Sequence, residues 1–498
     1  MTESAEGSTT RSVRRVSLAA LACWGLLVAL QLGWIPFARY AWAFNLWGYF
    51  PSWVGATLGG AALLLCFGPV RTGIASGATR IGAEAARLPR VPALLAAILG
   101  LAIAAWLLWL LRERYVAGDS ALLVLAVHGG WTFVFKEPGA SFLAHHAVAV
   151  ADSFRFGPLN GVRVLSCLCS VPAIWFLVGA ARNLGAPRFA AAIVLLVLSG
   201  GLIRVFAGHV EVYAPLLAAA SGYLWAALAY LRRRAPWWAP ALALGVTLWM
   251  HLASAALIPS LLLLPWLASG RSDEPRPILC SVAGAALSGG PILVFLALLL
   301  VFGYREDVWR AVEGAMEVLG RSPKLDATRW WVRGWGSYPS IGTDVVFLSW
   351  PHLKYLLNAA YLLAPAALPL LVGFAIARPR LLLQAPAARF LLAAAIPLAA
   401  YACLLRPFWG PFDWDLFSLT ALVLSLLAAH LVATGLAPSV RAHVAVWLVG
   451  FQLAFVAIPF VATGLGKWRD AGPFQPHQWT VDLSLPNTPP PDVLEPWL

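Results

Sequence analysis

Three short stretches gather ionisable side chains in a chain where only 11% of residues are charged. The first, "GDSALLVLAVHGGWTFVFKEPGASFLAHHA", holds Asp119, His128, Lys136, Glu137, His145 and His146. The second, "RVFAGHVEVY", holds Arg204, His209 and Glu211, and the third, "RPFWGPFDWDLFS", holds Arg406, Asp413 and Asp415. Carboxylates set among cations can serve two halves of one reaction. A carboxylate takes the proton of an attacking hydroxyl, a role worth about 10²–10⁴-fold in rate. Arginine or lysine meets the anion that departs, most effectively where water is excluded. The residue types therefore suit group transfer with an anionic leaving group.

Each position also has a plainer reading. Asp119 precedes "SALL" and could cap a helix starting at Ser120. Arg204 and Glu211 could pair with each other, or Arg204 could snorkel to an interface. Asp413 could cap the helix after it; Asp413 and Asp415 are two apart, so they diverge on a helix and converge only in a turn. His128, Glu137, His145, His146 and Asp152 offer donors for a divalent metal, but without a recognisable ligand spacing. His145 and His146, being adjacent, point apart on a helix. Lys354, in "WPHLKYLLNAAYLLAP", reads as a solvated or headgroup-neighbouring charge.

The elements that must position these groups are membrane helices. The 498 residues are 61% hydrophobic with a mean hydropathy of +0.78, more apolar surface than a water-soluble chain can cover. Apolar runs of the length a bilayer core demands recur throughout. They predict an all-α polytopic protein of about 13 spans, at 16–35, 51–68, 92–111, 162–181, 188–204, 211–231, 238–250, 253–268, 279–303, 353–376, 388–405, 416–434 and 441–464. Two short juxtamembrane helices are expected in the first large outer loop, at 119–130 and 140–152, parted by "FKEPGA".

With the N-terminus on the cytoplasmic side, the arginines of the inside loops carry the whole formal charge of +13 and the outer segments balance to neutrality. This holds if 238–268 is a hairpin. Topology thus accounts for the basic pI, and no nucleic-acid partner is implied. The run after "RSVRR" is too long for a typical signal and reads as a retained anchor. The six cysteines fall in or beside spans and suggest no disulfide framework. Tryptophans at span ends, such as Trp330, Trp409 and Trp414, read as an interfacial belt. The tail 465–498, ending "PNTPPPDVLEPWL", is too rich in proline for a regular helix and is expected to be an extended strap or disordered.

The order of these parts resembles the GT-C superfamily of polyprenyl-phosphate-sugar glycosyltransferases, whose members include protein O-mannosyltransferase-like enzymes and the aminoarabinose transferase of lipid A. "GDSALLVLAVHGGW" matches the family's acidic position at Asp119, and "KEPGASFLAHHAV" matches the Pro-rich turn later in the same loop. "RVFAGHVEVY" is similar to its polar outer turn, and "ALALGVTLWMHLASAALIPSLLLLPWL" to the short helix pair that follows. The likeness covers about residues 92–300. Two departures stand out: the acidic loop follows the third span, which makes 16–68 an added hairpin, and Asp119 is followed by Ser120 where the family often has a second acid.

The resemblance implies a periplasmic-face glycosyltransferase of the bacterial inner membrane that uses a polyprenyl-phosphate-linked sugar and a lipid, glycan or protein acceptor. Asp119 would be the base. Arg204, Lys136 and Arg406 would bind phosphate, and His209, Glu211, Glu137, His128, Asp413 and Asp415 would contact substrate; a divalent metal is possible. The chain then divides into 1–91, a core at 92–303 with its loop at 112–161, an outer loop at 304–352, spans at 353–464 and the tail. A transporter or flippase, or a non-catalytic scaffold of envelope assembly, is the alternative. Transporters tend to show paired repeats and broken helices at mid-membrane; here the polar residues cluster at the outer boundary and the span cores hold few ionisable groups.

Overall fold

A computed structural model describes residues 2–35, 42–114, 116–117, 123, 127, 132, 134, 136–184, 187–268, 276–318, 348–405, 410–465 and 480–481. Helices dominate it, as the apolar runs require. Among the described residues, strand appears only as a two-residue antiparallel pairing of Val116 with Val481 and Ala117 with Thr480.

Among the described residues eight helices are long and apolar enough to cross a bilayer, or up to ten if each of two bent pairs counts as one span. The expected thirteen therefore overstates the straight spans. Arg14–Gln31, Arg90–Leu110, Pro158–Asn183, Tyr213–Leu231, Pro277–Val301, Pro386–Leu404, Trp414–Gly435 and Val440–Thr463 fall where the apolar runs put them. The other runs are shortened or broken, and proline explains much of it. Pro69 opens a new helix, and Ser52–Leu64 meets Gly68–Glu84 at 82°. Ala364, which precedes Pro365, leaves helical geometry (φ −140°, ψ 58°), and His352–Leu363 meets Ala367–Ala377 at 98°. The 188–204 run shrinks to Ala190–Leu198 and a single turn at Ile203–Phe206.

The 238–268 run is two short helices, Trp238–Met250 and Ile258–Leu267, with a 3-10 turn at Leu252–Leu257 between them. His251 is the break, in extended geometry (φ −160°, ψ 127°). Its ring Nδ1 accepts from Ala253 N at 3.0 Å and so caps the turn.

The deepest burial lies in Tyr213–Leu231 and Trp414–Gly435, of whose windows 78% and 89% are inside the protein. These two helices are the axis of the bundle. Pro158–Asn183 packs along the first, and Pro386–Leu404 along the second. Glycines allow the close approaches. At Gly201 an added Cβ would strike the Leu362 carbonyl oxygen, which already accepts from Gly201 N at 2.8 Å.

Candidate active site where the helices end

Two polar clusters form where the helices end. The first begins three residues beyond Arg90–Leu110, at Glu113. Backbone bonds clamp this segment from both sides: Glu113 N donates to Ala207 O (3.0 Å) and Arg114 N to Gly464 O (2.8 Å). The turn 204–212 can press against it because Gly208 sits at φ +60°, where a Cβ would lie 2.5 Å from the Arg112 Cβ. Arg163 adds a bond to the Arg114 carbonyl (3.1 Å), and Ser166 one to the Val205 carbonyl (2.6 Å).

Glu113 receives two cations in that clamp. One carboxylate oxygen pairs with the Arg204 guanidinium, and the other accepts from His209 Nδ1 at 2.7 Å. His209 Nε2 reaches Asp415 Oδ2 at 2.9 Å. Ionised carboxylates only accept, so an imidazole held between two of them must donate from both nitrogens and be charged. All four side chains are under 10% exposed. Burial alone would push the Glu113 carboxyl up, but Arg204 and His209 override it and hold the group down to about 2. Burial would likewise lower His209, and Glu113 and Asp415 raise it to about 9. Two anions and two cations close on one another. Arg204 Nη1 also donates to the Phe460 carbonyl (3.2 Å) and Thr463 Oγ1 (3.0 Å), the group lies over the Phe460 ring, and its buried Nε has no partner. The buried Trp414 stands 4.9 Å from the His209 ring, centre to centre.

The second cluster is looser. The turn before Pro138–Ser153 docks on the break at His251: Leu252 N donates to the Lys136 carbonyl at 2.8 Å. Gly139 fits there because a Cβ would come within 2.8 Å of Trp249. Glu137 is the N-cap residue of that helix, yet its side chain makes no capping bond. It faces His251 Nε2 at 3.5 Å and Lys136 Nζ at 3.8 Å instead. Because His251 Nδ1 accepts from a backbone N–H, the ring proton sits on Nε2 and points to Glu137. Tyr213 stacks against His251. Beside them is a cavity lined by Tyr213, Leu216, His251, Leu398, Tyr401 and Thr420 among others: apolar walls with phenol, imidazole and hydroxyl groups. Leu416, next to Asp415, also lines it, so this cavity borders the first cluster too.

The structure thus brings together five of the expected site residues in two groups, Arg204, His209 and Asp415 in one and Lys136 and Glu137 in the other. Arg204 pairs with Glu113, where pairing with Glu211 was the plain expectation. Its guanidinium also meets the Phe460 carbonyl and Thr463 Oγ1, while its buried Nε is without a partner. Glu211 is buried at the head of Tyr213–Leu231, with Oε2 accepting from Val212 N at 3.4 Å. Asp119, His128, Arg406 and the Asp413 side chain lie outside the described residues, as do most of the 119–130 helix, the loop 319–347 and most of the tail. The 140–152 helix is present as Pro138–Ser153. Among the described residues no three His, Cys, Asp or Glu side chains are placed to hold a metal ion. Glu113 and His251 are additions that the sequence reading missed.

No family model matches this chain, and no curated protein matches it. Solved structures do. The chain is similar to ArnT from Cupriavidus metallidurans. With undecaprenyl phosphate bound, that protein superposes at a TM-score of 0.46 with 15% identity over 76% of this chain and 78% of ArnT. The apo form gives 0.46 and 17% over 75% and 78%. An oligosaccharyltransferase from Archaeoglobus fulgidus, in complex with zinc and sulfate, gives 0.36 and 14% over 73% of this chain and 52% of its own. These are distant likenesses in the course of the chain, and the reading of the site below rests on its own side chains.

Proposed function

We propose that this protein is a membrane glycosyltransferase of the GT-C type that moves a sugar from a polyprenyl-phosphate carrier to an acceptor hydroxyl on the outer face. The observation that carries the reading is the Lys136–Glu137 turn docked on His251, with the lysine side chain about one-third exposed. A lipid phosphate needs a cation at its headgroup, and Lys136 is placed to supply one.

In the proposed step the acceptor O–H gives its proton to a carboxylate while its oxygen bonds to the anomeric carbon. The bond from that carbon to the phosphate oxygen breaks, and the polyprenyl phosphate leaves with the electron pair. Asp119, six residues beyond the clamped Glu113, is the base we assign; Lys136 and Arg406 meet the phosphate. Glu211 and Glu137 are assigned to substrate contact, with His128 and Asp413. His209 and Asp415 act through Glu113 as positioning residues. The core at 92–303 would hold the donor, with 1–91 an addition. The location we assign is the bacterial inner membrane, with the N-terminus cytoplasmic and the site outside.

The test is sugar transfer by the purified chain in lipid vesicles supplied with polyprenyl-phosphate-linked sugars. Release of polyprenyl phosphate is expected from the parent and its loss from Asp119→Asn. A folded Asp119→Asn variant with unchanged turnover removes Asp119 from the base role. A folded parent that consumes no such donor ends the reading.

A further inference from the structure

The helix Gly68–Arg87 has no role in the site, and its main neighbour is Pro438–Gln452. It starts where the chain turns by 82° after Ser52–Leu64, and it is fixed at that corner by Arg71. The Arg71 guanidinium is fully buried and donates to the Leu65 carbonyl (2.6 Å) and to Ser17 Oγ (2.7 Å), just past Arg14 and Arg15 on the first helix. Beyond Arg71 the helix leaves the protein. Ile74, Ile81 and Leu88 are 46%, 72% and 44% exposed, and added Cβ atoms at Gly73, Gly77 and Gly82 would meet nothing within 4 Å.

Its sequence is nevertheless two-faced. Val70, Ile74, Ala78 and Ile81 recur at helical spacing and make one apolar stripe. Thr72, Ser76, Thr79 and Ala83 occupy the opposite side, with Arg80 and Arg87 along one edge of it, and Arg87 bonds to Glu84 at 3.2 Å. An apolar stripe opposite a polar, arginine-bearing face, on a helix turned aside from its neighbouring span, fits the boundary of a lipid leaflet. The chain supplies a direction as well. The next helix, Arg90–Leu110, starts at this end and finishes three residues before Glu113, so about 30 Å of helix parts the two. Arg14 and Arg15 lie just before Ser17, at the Arg71 end of this helix, and Arg87 and Arg90 lie at its other end, with Arg80 between. Their charge matches a surface rich in anionic headgroups.

We infer that Gly68–Arg87 is an interfacial helix on the membrane face opposite the candidate site, its stripe sunk among acyl chains and its arginines among anionic lipid headgroups. Spin labels on the full chain test this. Ile74→Cys, Ser76→Cys, Ile81→Cys and Ala83→Cys are made singly, labelled and reconstituted into vesicles of phosphatidylethanolamine with phosphatidylglycerol. The native cysteines are buried or half-buried, and the labelled parent gives the background. Collisions with oxygen are expected to dominate at 74 and 81, and collisions with a water-soluble nickel complex at 76 and 83. Equal nickel access at all four overturns the proposal. So does shelter of 74 and 81 from both reagents, which would mean that protein covers the stripe. For the headgroups, Arg80→Gln and Arg87→Gln are each expected to weaken docking about fivefold, read as nickel access regained at 81. Replacing phosphatidylglycerol by phosphatidylcholine should act in the same direction. No response to either change overturns the anionic-lipid assignment.

Discussion

The two polar clusters use similar side chains to opposite ends. Around Glu113 two acids and two cations sit in short contacts; the arginine turns a second nitrogen to backbone and threonine, and its buried Nε alone has no partner. Around Glu137 the contacts stretch to 3.5 and 3.8 Å, the lysine side chain is about one-third exposed, and a cavity adjoins. Short, mutual charge contacts suit holding segments together. Longer contacts around a partly exposed lysine suit a more open, water-accessible group. Charge at a span end is thus no guide to chemistry until its partners are counted.

Deleting one member of the Glu113 set should have the largest effect. Arg204→Ala leaves Glu113 buried beside one cation and is expected to cost about 3–5 kcal/mol of stability; Lys136→Ala should barely move the melting temperature in detergent. Equal melting of the two variants would erase the contrast between the clusters. Next, Lys136→Ala is expected to weaken polyprenyl-phosphate binding by roughly 1.5–3 kcal/mol, the worth of a charged hydrogen bond, as measured by titration of the lipid phosphate.

The Glu113 set should also answer to pH. The raised His209 contributes fully below its ordinary value of 6.5 and loses that contribution as pH climbs through about 9. The lowered Glu113 contributes fully above 4.5 and loses it as pH falls through about 2. Melting temperature should therefore decline on both limbs, and His209→Gln should flatten the alkaline one. The smallest effect is expected of His251→Ala, which removes one cap from the turn at 252–257 and should cost about 1 kcal/mol, with a shift in donor affinity if Glu137 loses its orientation.

Much of this architecture is legible in the sequence because a bilayer imposes length and apolarity on every span, and both are local properties. Pro158–Asn183 and Trp414–Gly435 could be placed that way. The bends could not be read so well: Pro69 and Pro365 mark them, but the angle is set by what packs at the corner, as Arg71 shows. "RVFAGHVEVY" stood out as a site because charge at a helix boundary is rare. Glu113 did not, since between Arg112 and Arg114 it reads as one more solvated charge. His251 hid inside an apolar run, where its only signal was a polar ring at the junction of two short helices. Which acid Arg204 would choose depends on a neighbour 91 positions away, and no local pattern encodes that.

The contact from Glu113 through His209 to Asp415 has a further consequence for biosynthesis. The acid emerges early, its arginine and histidine about a hundred residues later, and the last acid two hundred residues after that. Until the final hydrophobic segments are in place, the early half of the protein carries this knot unfinished. This end of the bundle can set only once residue 415 has been made, and chains that stop short of it should be recognised by quality control as incomplete, even with most of their helices inserted.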